Sequence, residues 1–153
     1  MSNTLAWAHI IRTSHVVRAP YSTSPNACVH PADIAETAAL TLTTPHNHTH
    51  QAYTLTGPQA LSPTDQTTQL AQLLGHPIHC EELTPQQAHT ALRTRYPPDI
   101  TTALLESATH QHTSPKTHIN PTLPRLLHHP ARTFRNWATN HLHRFRPGAA
   151  TNE

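Results

Sequence analysis

The sequence predicts an α/β protein, mostly helical, with two or three short strands. Helix-start signatures recur at His30-Pro31-Ala32-Asp33, at Ser62-Pro63-Thr64-Asp65 and at Thr84-Pro85-Gln86-Gln87, and apolar residues at helical spacing follow each of them. Between the helices, runs 51–56 and 78–83 have the short, bounded character of strands. The 153 residues suit one domain with one core, and 12% charged residues with 35% hydrophobic ones leave its polarity to neutral side chains.

The first segment, 2–13, reads as a short helix capped by Ser2 or Asn3, with Leu5, Ala6, His9, Ile10 and Thr13 on one face. Val16 and Val17 make a brief apolar stretch, and 18–26 reads as an irregular loop. In the second helix Pro31 opens the first turn and Asp33 suits the positive end of the dipole, while Ile34, Ala38 and Thr41 or Leu42 recur at helical spacing. A turn at 43–50 leads to the expected strand 52–56, closed by Gly57 and Pro58.

Ser62, Pro63 and Asp65 start a helix whose apolar set Leu70, Leu73 and Leu74 runs to Gly75. After the short strand at 78–83, Thr84 and Gln87 cap a helix that Pro97 and Pro98 stop. Asp99 begins another, with an apolar stripe of Ile100, Ala103, Leu104 and Ala108, and the polar stretch 110–116 is expected to be a loop. Leu123, Leu126 and Leu127 support a helical turn. Thr133 caps a terminal helix that turns Phe134, Trp137 and Ala138 inward, with frayed residues expected after Arg144.

Several function classes are excluded or weakened at this level. Gly57, Gly75 and Gly148 are the only glycines and are far apart, so neither GxGxxG nor GxxxxGK[ST] exists to cradle a phosphate. Net charge is +2 with 16 histidines counted neutral, too small an excess to indicate nucleic acid. No signal peptide or long apolar run is present, and the expected setting is cytoplasmic, without a membrane partner. Cys28 and Cys80 follow no CxxC pattern and are expected to be reduced and structural.

The histidines group at 46/48/50, 76/79, 110/112, 128/129 and 141/143. A metal centre needs three or four converging ligands with hydrogen-bonded support, whereas these groups sit mainly in loops; they read as surface histidines, with no metal site. His79 and Cys80 are neighbours on a strand and point to opposite faces, which defeats a nucleophile pair. A Ser/His/Asp triad lacks a GxSxG elbow. Arg125, Arg132, Arg135, Arg144 and Arg146 accompany Phe134, Trp137 and Phe145. That pattern suits a solvated helix face better than a nucleic-acid surface.

The segments SNTLAWA, VVRAPY, HPADIAETAALTLT, YTLTGPQALSPTDQTTQLAQLLGHPI and PARTFRNWATNH stand in a telling order. Over residues 2 to about 142 they resemble the C-terminal half of the NmrA-like, atypical short-chain dehydrogenase/reductase family. Most specific are the HPADIA helix start and the YTLTGPQALS junction. The resemblance implies the C-terminal portion of a Rossmann-like NAD(P)-binding fold, with residues 1–145 the substrate-side part and 146–153 a disordered tail. It places Met1 mid-family, the nucleotide-binding half being missing. It implies NAD(P) as cofactor of the longer protein and none for this chain alone. By position it assigns Asn3, Trp7, His30 and Asp33 to the substrate and cofactor cleft, although Asn3 reads equally as an N-cap and Asp33 as a helix-capping acid. No catalytic residue is assigned.

The implied function is a truncated NAD(P)-dependent oxidoreductase of the quinone- or azo-reductase kind, acting on a small-molecule electron acceptor. It would have little or no activity alone and an unpaired edge at strand 52–56. The alternative is a non-catalytic regulatory or interaction module, whose partner would be a separately encoded N-terminal Rossmann half. Metal buffering by the histidines ranks third.

Overall fold

The computed structural model describes residues 1–148. The expected tail, 146–153, falls for its last five positions outside the described residues. The chain opens with a 3-10 segment, Ser2–Trp7, that passes into α1, Ala8–Ser14. His15, left-handed at φ 55°, ends the helix and leads into β1, Val16–Ala19. The helices α2 (Pro31–Thr43), α3 (Pro45–His48) and α4 (Pro63–Leu74) precede β2, His79–Glu82. Then come α5 (Pro85–Arg93), α6 (Pro98–Thr113), α7 (Thr122–Leu127), α8 (Phe134–Asn140) and a 3-10 turn, Leu142–Phe145.

The expected fold class holds: helices around a small parallel sheet. Strands β1 and β2 pair in register Val16↔His79 to Ala19↔Glu82, and the intervening helices supply the crossover that parallel pairing requires. Arg18 and Glu81 face each other across the ladder and join at 2.8 Å. The core lies on the side where Val17, Leu70 and Ile78 meet Phe134, Trp137 and Phe145. Trp137 is stacked by His141 and met edge-on by Phe145. Prolines open α2 to α6, where a missing N–H costs nothing.

The local signals at the caps are realised. Ser62–Asp65, Thr84–Gln87 and Thr133–Asn136 each form a reciprocal capping box. Gly75 closes α4 at φ 78°, the left-handed position for which glycine carries no steric penalty.

Several expectations are corrected. Segment 52–56 forms no strand and pairs with none among the described residues; the Asn120 side-chain amide donates to the Thr54 carbonyl at 3.0 Å, and the Asn120 N–H donates to Thr56 Oγ at 3.0 Å. Arg18 and Ala19, expected in a loop, belong to β1, because the partner that orders them lies more than sixty residues away. The first helix buries Thr4, Ala8 and Ile11 instead of the expected face, and neither Ser2 nor Asn3 caps it. Its opening turn is 3-10, and about 120° per residue instead of about 100° rotates every later side chain out of the α-helical phase.

Helix α2 buries Asp33 and Thr37 and leaves Ile34 and Leu42 outward, since the ion pair of Asp33 with Arg132 sets its rotation. On α6, Ile100 and Leu104 are exposed, and the helix continues to Thr113 through residues expected to be loop. Phe145, just beyond the Arg144 where fraying was expected to begin, is 1% exposed because it plugs the aromatic core.

Candidate active-site cavity

A cavity of about 290 Å³ lies beside the carboxyl end of β1, where open parallel sheets place their ligands. The opening 3-10 segment contributes Asn3, Thr4 and Trp7 to it. The loop leaving β1 adds Pro20, Tyr21, Ser24, Asn26 and Cys28. Leu61, Pro63 and Gln66 come from the start of α4, and Ala108 and Gln111 form the α6 wall.

The chain folds this loop tightly against its surroundings. Tyr21 adopts φ 52°, an uncommon left-handed conformation for a bulky residue. Its ring stacks on His112 at 4.4 Å, and its hydroxyl lies 3.1 Å from the Thr109 hydroxyl, so α6 fixes it from one side. Asn26 bridges to Leu61 through both backbone groups and donates from its side chain to Gln111 Oε1 at 3.2 Å. Gln66 accepts from Thr4 Oγ at 2.8 Å, which leaves its NH2 group to donate. Gly57 permits the closest approach: a Cβ there would sit 2.0 Å from the Cys28 carbonyl oxygen.

Of the residues assigned by resemblance, Asn3 and Trp7 line this cavity, whereas His30 and Asp33 do not. His30 caps α2, its Nδ1 accepting from Ala32 N–H at 3.0 Å, and its buried Nε2 has no hydrogen-bond partner. Burial lowers the His30 pKa below its ordinary value. Asp33, fully buried, accepts from the Arg132 guanidinium and from the Arg132 N–H at 2.9 Å. Glu36 joins Arg132 at 2.7 Å and His129 at 2.9 Å. Those bonds hold the Glu36 carboxyl down to about 2, while His129 is raised by its contacts with the Pro130 carbonyl and Glu36. The pair thus ties α2 to the segment before α8 and stands apart from the cavity.

Sequence reasoning missed Tyr21, Asn26, Cys28, Gln66 and Gln111. Their types carry no motif, and α6, which supplies Gln111, lies some ninety positions beyond β1 in the chain. Tyr21 within VVRAPY was the one available signal. Among the described residues, no three His, Cys, Asp or Glu side chains gather closely enough for a metal ion, and no helix is long and apolar enough to cross a membrane. Cys28 and Cys80 are unpaired thiols.

No protein-family model matches the chain. A (4-alkanoyl-5-oxo-2,5-dihydrofuran-3-yl)methyl phosphate reductase of Streptomyces griseus is 45% identical over 96% of the chain. An NAD(P)H azoreductase of Xenophilus azovorans is 32% identical over 98% of it. The chain is a homologue of reductases. It spans about half the length of these relatives, 52% of each. Among solved structures, the NADPH-dependent quinone oxidoreductase of Escherichia coli superposes with a TM-score of 0.74 at 23% identity, covering 92% of this chain and 51% of that one. A nucleoside-diphosphate-sugar epimerase of Staphylococcus aureus follows at 0.73 and 15%, over 90% and 48%. These two likenesses establish the reductases' Rossmann-like fold for the chain.

The residues present do not fit the pyrophosphate of the dinucleotide that this fold implies. A phosphate cradle needs glycines whose missing Cβ leaves room for the ligand. At Gly57 that room is filled by the chain's own Cys28 carbonyl, and Gly75 serves as a helix C-cap.

Proposed function

We propose that the chain is the acceptor-binding part of an NAD(P)H-dependent reductase and corresponds to the C-terminal half of the longer relatives. The observation that carries the reading is a cavity walled by an aromatic pair and by side-chain amides at the carboxyl end of a parallel strand, in a chain 45% identical to a reductase. In this reading Trp7 and Tyr21 supply flat apolar surface for a planar acceptor. Asn3, Asn26, Gln66 and Gln111 offer N–H donors to its carbonyl oxygens, and the α6 wall excludes water. The hydride donor is held by residues outside this chain, so turnover belongs to the longer protein.

The test is a calorimetric titration of the chain with NADPH and NADH beside an aromatic acceptor. The expected outcome is saturable acceptor binding, weakened at least ten-fold by Trp7→Ala, with no saturable dinucleotide binding. Micromolar binding of either dinucleotide overturns the division of labour. Mixing the chain with the dinucleotide-binding half of a related reductase is expected to yield NADPH oxidation that neither piece shows alone.

A further inference from the structure

The walls of the cavity are unequally anchored. Trp7 and Leu61 pack against the apolar core, and Gln66 stands on α4, whose Leu70 belongs to that core. The α6 wall has no such tie. Within α5 and α6 only Ala88 and Thr101 are buried, whereas the much shorter α8 buries Phe134, Trp137 and Ala138. Ile100 and Leu104 on α6 stay exposed, and among the described residues α5 and α6 pack chiefly on each other. An element with so few buried apolar contacts opens well below the cost of global unfolding.

What holds α6 over the cavity is a polar clasp to the loop after β1. The Tyr21 ring stacks on His112 with centroids 4.4 Å apart, and the Tyr21 hydroxyl lies 3.1 Å from the Thr109 hydroxyl. Asn26 Nδ2 donates to Gln111 Oε1 at 3.2 Å, and Ser24 Oγ donates to the Gln111 carbonyl at 3.4 Å. These contacts all meet one turn of α6, residues 109–112. Thr109 and His112 are exposed, so water competes for their contacts, and bonds of that kind add little net stability. Tyr21 holds its left-handed φ of 52°, a conformation that persists only where surrounding contacts fix it, and the clasp supplies them. Fixed points flank the two helices. Leu83 N–H donates to the Ala19 carbonyl at 3.0 Å before α5, and Ala27 N–H donates to the Lys116 carbonyl at 2.9 Å after α6. Between those ties the hairpin is free to swing once the clasp parts.

We propose that α5 and α6 form a lid over the acceptor cavity, that Tyr21 is the positioning residue that clasps it through His112 and Thr109, and that parting of the clasp admits the acceptor and releases its product. The inference rests on the acceptor-binding reading of the cavity. Closure carries Ala108 and Gln111 into the wall, so the Gln111 amide meets the acceptor only after entry.

The experiment follows binding of duroquinone, a fully substituted uncharged quinone, by stopped-flow quenching of tryptophan fluorescence, Trp7 being at the wall. Amide hydrogen exchange of the unliganded chain accompanies it. Exchange in α5 and α6 is expected to be about ten-fold or more faster than in α4 and α8. His112→Ala and Thr109→Val change side chains outside the cavity wall, and each is expected to raise the association and dissociation rates together by about three-fold or more. His112→Phe, which keeps a ring against Tyr21, is expected to restore the native rates. Clasp variants that lower the thermal midpoint while leaving association at its native rate overturn the lid, as does α6 exchange as slow as that of α8; either result leaves the acceptor site standing. Failure of the native chain to bind duroquinone overturns the acceptor reading and the lid with it. If one clasp variant fails to fold, as judged by far-UV circular dichroism, the other and the exchange comparison still decide the matter.

Discussion

Arg132 holds a buried carboxylate in place from a position that is itself a third exposed. Asp33 has no exposure, and its charge is matched by the guanidinium and by one backbone N–H. Removing the cation strands a buried anion, so Arg132→Ala is expected to destabilise the chain by about 3 kcal/mol, read as a lower urea midpoint. The neighbouring pair gives a pH signature. His129, raised above 6.5, contributes stability that is full below pH 6.5 and fades as pH rises through its folded value. Glu36, depressed from 4.5 to about 2, contributes stability that is full above pH 4.5 and fades as pH falls towards 2. His30, lowered by burial, works in the opposite sense from His129: its share is full above pH 6.5 and is lost on acidification. His129→Gln is therefore expected to reduce stability most between pH 4.5 and 6.5 and progressively less above that range. Urea midpoints measured across pH 4 to 9 check this, and a constant difference would sink it.

At the scale of an element, helix starts are the most legible feature, because a cap is made by residues three positions apart. Ser62 was readable as a cap from SPTD, and its Oγ does accept from Asp65 N–H. Ser62→Ala is expected to cost about 1 kcal/mol, with the loss concentrated in early exchange of the α4 amides. The faces of the helices were less legible. Periodicity put Ile34 and Leu42 inside α2, but a buried ion pair can turn a helix against its apolar pattern when the pattern is weak. Gly57 belongs to this scale as well, since its N–H donates to the Ala27 carbonyl and ties segment 52–56 to the loop at Ala27 and Cys28. Gly57→Ala would drive a Cβ into a backbone carbonyl and is expected to cost about 3 kcal/mol and to distort the cavity, seen as lost acceptor binding.

Across the whole molecule, stability rests on a small aromatic core. Trp137 has no exposure and contacts Phe134, His141 and Phe145. Trp137→Ala is expected to remove about 3–5 kcal/mol, a large share of the roughly 5–15 kcal/mol that holds an ordinary domain folded. Near-UV circular dichroism and the thermal midpoint report it. The two-stranded sheet adds little by itself, as parallel pairs are normally covered on both faces within wider sheets. The chain spans 52% of the length of each of the two reductases it matches.

The helical class, the capped helix starts and the inward Phe134 and Trp137 are legible in the sequence, as is the resemblance to NAD(P)-dependent reductases that the homologues bear out. These are local: a cap, a proline or a short motif needs only neighbours within a few positions. Tertiary structure alone decided that Val16–Ala19 is a strand, because its hydrogen bonds go to residues 79–82. It also decided that 52–56 remains unpaired, and that Asn3 and Trp7 part company with His30 and Asp33. The cavity emerged only when the opening turn, the loop after β1, α4 and α6 were brought together. Its wall is drawn from side chains some hundred residues apart, and such distances leave no periodicity for a sequence to display.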